Sequence, residues 1–377
     1  MSAAKHLTGD LKQAKRIVIK IGSALLVDES KGVLRRRWLQ ALAEDIATLR
    51  KEGREVIVVS SGSIAVGRRY LSLGQRPLRL EEKQAAAAAG MIRLAHAYQD
   101  ALGHHGITVA QVLLTLDDTE SRRRYINARN TLDTLLSLGS VPLINENDTV
   151  ATDEIRFGDN DRLAARVAAM VSADTLVLLS DIDGLYTADP NRDPDARFLP
   201  EVLEISAEIE AMAGDPVTAH GSGGMVTKLA AAKICLGAGC RMAITQGHEE
   251  HPLKRLAEGA RATWFLPKAN PAKARKQWIA GSLKAVGTLW LDDGALTALN
   301  KGKSLLPAGV TKVEGKFGRG AAVVVRAADG HEVARGLMAY PSADARKIAG
   351  HKTSDIESLI GYRGSDEMIH RDDLVLL

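Results

Sequence analysis

Six short aliphatic runs recur through the first 250 positions, each followed by a turn and a helix-like stretch, and this alternation restricts the fold more than any other feature. The runs are Arg16 to Ile21, Glu55 to Val59, Ile107 to Leu114, Val141 to Ile144, Thr175 to Leu179 and Arg241 to Thr245. The first is continuous rather than alternating, as expected of a strand buried on both faces in a parallel sheet. Between them, Arg37 to Lys51, a stretch from Ile64, Gln84 to Leu102, Thr119 to Leu138, Arg162 to Val171 and a stretch ending near Leu236 carry helical spacing. Strands alternating with helices predict an α/β fold: a doubly wound, mainly parallel sheet with helices on both faces. In such sheets, ligands bind beyond the carboxyl ends of the strands.

The turns after the strands are therefore where chemistry is expected. Lys20 interrupts the first run, and a charge in a buried strand is costly unless it is paired. An edge lysine that snorkels to water is the alternative. The second run ends in Ser60-Ser61-Gly62-Ser63, which opens a helix and suits a carboxylate or phosphate, although N-capping alone also explains such serines. It lacks the Gly-x-Ser-x-Gly spacing of a nucleophile elbow. The fourth run leads into Asn145 to Asp161, where six carboxylates face a single cation, Arg156. A solvated acidic loop is the bland reading; its place beyond a strand end favours a cation, either a substrate amine or hydrated Mg²⁺. The fifth run exits into Ser180-Asp181. Before the sixth comes His220 to Lys228, where three glycines open a helix whose free N–H groups suit an anion. Lys228 in that first turn opposes the helix dipole unless an anion is present. The spacing differs from the Gly-x4-Gly-Lys-Ser/Thr phosphate loop.

Several classes are excluded. A net charge of +4 over 377 residues supports neither an acidic tail nor strong nucleic-acid binding. The two cysteines, Cys235 and Cys240, form no disulfide framework and are expected to be small buried residues in a reducing, cytoplasmic protein. No stretch is apolar enough to suggest a membrane span, and no leader is evident. His248-Glu249-Glu250-His251 lacks a third ligand, so no metal site is assigned. Beyond a basic, proline-bearing stretch the pattern changes to short strands and glycine turns, which predicts a small β-rich domain. The boundaries are placed at 1–263, a linker at 264–281, and 282–377.

Together, two lysines, a glycine-rich helix entry and an acidic, amide-rich stretch suit phosphoryl transfer, which needs positioning and charge neutralisation more than covalent catalysis. A carboxylate acceptor would already be ionised at neutral pH and would need no general base. The chain also resembles the bacterial glutamate 5-kinases, an amino acid kinase domain followed by a PUA domain. The resemblance rests on Val18 to Ser23, Ser60 to Ala65, Ile144 to Asp148, Gly158 to Asp161, Gly184 to Pro190 and Gly223 to Lys228. In the C-terminal part it rests on Ser304 to Gly309 and Ile348 to His351.

This resemblance implies ATP-dependent phosphorylation of the L-glutamate γ-carboxylate, the first step of proline biosynthesis, with Mg²⁺ and with proline as inhibitor. It implies that Lys20 and Lys228 stabilise the transferring phosphoryl group and that Asp161 orients them. Ser61, Gly62, Asn145, Asp148, Asp159 and Asn160 would hold glutamate, the aspartates nearest its ammonium. Lys20, Gly22, Ser180, Asp181, Tyr186, Ser222, Gly223, Gly224, Met225, Val226, Thr227 and Lys228 would line the ATP site. Thr149 to Phe157 would be a mobile or proline-sensitive segment. Ser63 departs from the family, standing where many relatives carry alanine. A homo-oligomer, dimer or tetramer, is implied, and channelling to glutamyl 5-phosphate reductase is left open. Two other readings remain: a kinase of this fold acting on acetylglutamate or aspartate, and RNA binding by the PUA domain. The near-balanced charge of Trp278 to Leu377 disfavours the latter.

Overall fold

Arg16–Ile21 (β1) lies inside an eight-stranded sheet, with Ile17, Val18, Ile19 and Ile21 fully buried. The structure, a computed structural model, describes residues 10–28, 32–150, 160–190, 192–213, 224–281 and 285–377. The other strands of this sheet are Glu55–Ser60 (β2), Val109–Leu114 (β3), Val141–Glu146 (β4), Thr175–Ser180 (β5), Glu201–Val202 (β6), Arg241–Gln246 (β7) and Ala262–Phe265 (β8). Their order is β6-β8-β7-β5-β1-β2-β4-β3. The six predicted strands pair in parallel, and β8 runs antiparallel to β7. The edge pair β6 and β8 was not expected, because two and four residues are too short to show a period.

The helices include Arg36–Lys51 (α1), Ser63–Tyr70 (α2), Leu80–Gly103 (α3), Leu116–Glu120 (α4), Arg122–Ser137 (α5), Asn160–Met170 (α6) and Met225–Gly237 (α7). They cover both faces of the sheet, with α1 against α3 and α6 against α7. α1 buries Leu39, Leu42, Ile46 and Leu49 on one face, as their spacing predicts. The alanine run in α3 has a steric reason. A Cβ on Gly67 of α2 would lie 1.7 Å from the Ala86 carbonyl oxygen, and one on Gly90 of α3 would lie 1.8 Å from that of Ser63. The two helices therefore touch backbone to backbone, which only small residues allow.

One expected helix is two. Thr119 to Leu138 was read as continuous, but α4 ends at Glu120 and α5 begins at Arg122. The Ser121 backbone carbonyl accepts the Tyr125 N–H at 2.8 Å, which opens the first turn of the second helix. Cys235 and Cys240 are buried free thiols, as anticipated.

The chain divides into two compact units, residues 1–120 with 128–271, and residues 121–127 with 272–377. The second unit contains Gly287–Leu291 (β9), Val310–Gly315 (β10), Ala322–Arg326 (β11), Glu332–Leu337 (β12) and Leu374–Leu376 (β13), in the order β10-β9-β11-β12-β13. Only the β9–β11 pair is parallel. It has its own core of Leu289, Val310, Val323, Val325, Ile348, Met368 and Ile369. Within the stretch expected as linker lies Pro271–Gly281 (α8), whose Arg275 pairs with Asp373 ahead of β13. Among the described residues no helix is long and apolar enough to cross a membrane.

Candidate active site

Parallel pairing brings the carboxyl ends of β5, β1, β2 and β4 to one edge of the sheet. Ile21 lies beside Ser60 and Leu179, and Val59 lies beside Ile144. The side chains that follow those ends form three groups.

The first is a buried charge triad. Asp161, in the first turn of α6, is fully buried. Its Oδ1 lies 2.6 Å from Lys20 Nζ on β1, and its Oδ2 lies 3.2 Å from Lys228 Nζ on α7. Lys20 and Lys228 are only 8% and 4% exposed. Burial works against an ionised Asp161, but the two ammonium groups outweigh it and hold its carboxyl below the usual range. This answers the sequence puzzle of a lysine inside a strand and another at a helix entry. One carboxylate thus bridges two ammonium groups beside the strand ends, and ammonium groups there attract an arriving anion. α7 begins at Gly224 with no side-chain cap, so its entry remains suited to an anion as well. Thr227 Oγ1 donates to the Gly224 carbonyl at 2.7 Å, closing that turn.

The second group is a network of amides and hydroxyls. Asn160 Nδ2 donates to the Ser60 carbonyl at 2.9 Å, to Ser61 Oγ at 2.8 Å and to Asn145 Oδ1 at 3.2 Å. Asn145 Oδ1 also accepts from the Glu146 N–H at 2.9 Å. Asn145 Nδ2 is buried and meets no acceptor among the described residues. Ser61 is thus a network member and not a cap; the residue that caps α2 is Gly62, at φ 104°. Beyond β4, Asp148 Oδ2 accepts from Ser63 Oγ at 3.3 Å. Burial raises the Asp148 carboxyl to about 6, with the Ser63 hydrogen bond pulling the other way.

The third group stands at and after the end of β5. Ser180 Oγ donates to Asp181 Oδ1 at 2.9 Å. Tyr186 OH donates to Asp183 Oδ1 at 3.0 Å, its ring meets Phe198 edge-on at 5.5 Å, and Arg261 reaches Asp183 Oδ2 at 3.3 Å. Gly22 follows β1, its N–H directed at the Leu179 carbonyl.

Of the residues expected at the site, Lys20, Lys228 and Asp161 come together, as do Ser61, Asn145 and Asn160. Asp148 joins β4 to α2. Asp159, Ser222 and Gly223 lie outside the described residues, as do positions 151–157 of the segment expected to be proline-sensitive. Sequence reasoning missed Tyr98, fully buried on α3, whose hydroxyl lies 3.1 Å from Ser60 Oγ. It also missed the contacts of Ser63 and Arg261. A tyrosine in an alanine-rich helix carries no local signal of such a partner. Among the described residues no group of three His, Cys, Asp or Glu is placed to hold a metal ion.

A model of the amino acid kinase family matches residues 15–246, and one of the PUA domain matches residues 287–360. A curated glutamate 5-kinase of Paramagnetospirillum magneticum is 68% identical to this chain, over 97% of this chain and 99% of its own length. The glutamate 5-kinase of Rhodospirillum rubrum is 66% identical, over 95% and 96%. Among solved structures, the carbamate kinase from Giardia lamblia bound to AMP-PNP aligns with a TM-score of 0.50 at 18% identity, covering 67% of this chain and all of its own. That likeness concerns the fold alone. On the match from 15 to 246 and these relatives, the chain belongs to the amino acid kinase family, with a PUA domain after the kinase domain.

Proposed function

We propose that the protein phosphorylates the γ-carboxylate of L-glutamate with ATP, giving L-glutamyl 5-phosphate and ADP. A γ-carboxylate oxygen attacks the γ-phosphorus, the bond to the β–γ bridging oxygen breaks, and the electron pair leaves on ADP. No proton needs to be removed, because a carboxylate with a pKa of about 4.3 is ionised at neutral pH. The observation that carries this reading is the buried Lys20–Asp161–Lys228 triad, beside an amide and carboxylate network suited to an amino acid. The two ammonium groups would sit against the transferring phosphoryl group and its leaving oxygen, where negative charge accumulates. Asp161 would keep both ammonium groups aimed from opposite sides.

Glutamate would be gripped through its backbone end. Asp148 and Asp159 would face its ammonium, and Ser61, Gly62, Asn145 and Asn160 would face its carboxylates. Gly22, Ser180, Asp181, Tyr186 and residues 222–228 would line the nucleotide. Mg²⁺ would be carried chiefly by the triphosphate, since this ion commonly keeps its waters and takes only one or two protein carboxylates. There it would neutralise phosphate charge. Proline shares the ammonium and α-carboxylate of glutamate, so competition for the same grip would provide feedback on the pathway that consumes the product. A homo-oligomer in the cytoplasm, and transfer of the labile acyl phosphate to the following reductase, complete the reading.

Hydroxylamine trapping of the acyl phosphate tests it. Wild type should form hydroxamate only with both glutamate and ATP present. Lys228→Ala should lower kcat by about 100-fold or more while its thermal unfolding midpoint stays within a few degrees. Near-normal turnover in that variant would remove Lys228 from the chemistry.

A further inference from the structure

Ser63 opens α2, and its side chain is buried at 4% exposure. The hydroxyl donates to Asp148 Oδ2 at 3.3 Å, joining the turn after β2 to the turn after β4. Its place is fixed from both sides. Gly62 precedes it in the left-handed region, where a Cβ would stand 3.0 Å from Val27 Cγ2, and Gly90 of α3 lies directly against its carbonyl. A hydroxyl anchored on that backbone is a rigid donor. Asp148 follows the last residues of β4 and precedes the segment 151–159, so its side chain lacks a comparable anchor in its own element. A carboxyl group rotates broadly about its terminal torsion, and a donor on one oxygen leaves the other oriented and free to accept from a cation.

We propose that Ser63 is a positioning residue for the amino-acid substrate: its hydroxyl holds the Asp148 carboxylate in the orientation that receives the substrate's ammonium group. The inference rests on the assignment of Asp148 to that ammonium made above. Ser63 need not touch the substrate. Among the described residues, burial and this hydroxyl are what act on the charge of Asp148, and no charged group joins them. Loss of the hydroxyl should therefore have two linked effects. The carboxylate should lose its fixed orientation, and its protonation should persist to higher pH.

The test compares wild type, Ser63→Ala, Ser63→Thr and Asp148→Asn in initial-rate assays from pH 5 to 8.5, varying glutamate at saturating ATP and the converse. For Ser63→Ala at pH 7.5 we expect a glutamate KM about 3- to 10-fold higher, the size expected for the loss of one ordinary hydrogen bond, as suits a contact 3.3 Å long. The kcat should stay within about twofold, and the KM for ATP should not change. The acid limb of kcat/KM for glutamate should move to higher pH. Ser63→Thr, which keeps the hydroxyl, should restore both values. A purely structural role would alter stability and kcat while leaving the acid limb in place. If Asp148→Asn raises the glutamate KM and Ser63→Ala leaves KM and the limb at wild-type values, the proposal is overturned and the role of Asp148 stands. If Asp148→Asn leaves the glutamate KM unchanged, the assignment of Asp148 fails and takes the proposal with it. Should the alanine variant fold poorly, Ser63→Cys keeps the volume with a weaker donor. It should then give intermediate values, whereas wild-type values would contradict the account.

Discussion

Asp161 is fully buried and Asp148 half-buried, and their surroundings drive the two carboxyls in opposite directions. Asp161 has two ammonium partners and is held ionised. Its depressed pKa means that its contribution to stability is present above the ordinary carboxylate range and is lost as pH falls through the folded value. Asp161→Asn would leave two buried lysines without their shared anion. It should cost about 3–5 kcal/mol of stability at pH 7 as well as turnover, measured by denaturant unfolding. Asp148 is raised from 3.8 to about 6 by burial. The folded state then takes up a proton more readily than the unfolded chain between those values, so stability falls as pH rises through that window. Asp148→Asn should make the ligand-free protein about 1–2 kcal/mol more stable at pH 7.5 and leave it unchanged near pH 3.5. The same substitution should raise the glutamate requirement, so a gain in stability would accompany a loss of function. Equal stability at both pH values would show that burial does not bear on Asp148. Both aspartates were expected at the site from the sequence. Their opposite ionisation was not, because it depends on Lys228, 67 residues further along the chain, and on burial beyond β4.

At the scale of elements, the turn after β2, proposed above to hold the substrate, is supported by the α2–α3 contact. Gly90 touches the backbone of Ser63, and Tyr98 on the same helix meets Ser60. Gly90→Ala would place its Cβ 1.8 Å from the Ser63 carbonyl oxygen. It should cost about 1–3 kcal/mol in thermal or denaturant unfolding and raise the glutamate KM more than the ATP KM. An unchanged glutamate KM would detach α3 from the site. The main strands and helices were legible because continuous β-branched runs and helical spacing survive in a single sequence. A break at Ser121 split one expected helix, since a serine is compatible with both a helix boundary and an exposed helical position. The strands β6 and β8 were hidden by their length, and Trp264 and Phe265, which belong to β8, lie where the chain was expected to leave its first domain. The five alanines offered no hint of their role, because close helix packing depends on the glycines facing them.

At the scale of the whole molecule, two units with separate cores follow the change from alternating α/β to short-strand pattern that the sequence displays. The inclusion of residues 121–127 with the second unit could not be foreseen from local composition. It also alters the charge balance. With Arg122, Arg123, Arg124, Lys273, Arg275 and Lys276, that unit has nineteen Lys and Arg against twelve Asp and Glu. The near-neutral count from Trp278 onward therefore understated its basic character. In the proposed function, the buried triad and its neighbouring network select a free α-amino acid with a γ-carboxylate and phosphorylate it. The most direct measurement is ADP release coupled to hydroxamate formation, compared across L-glutamate, N-acetyl-L-glutamate and L-aspartate at equal concentrations. We expect efficient turnover with glutamate and at least about 100-fold lower kcat/KM with the other two, because an acetylated amine would not pair with Asp148 and aspartate is one methylene short. Preference for N-acetylglutamate, or ADP release independent of any amino acid, would contradict it.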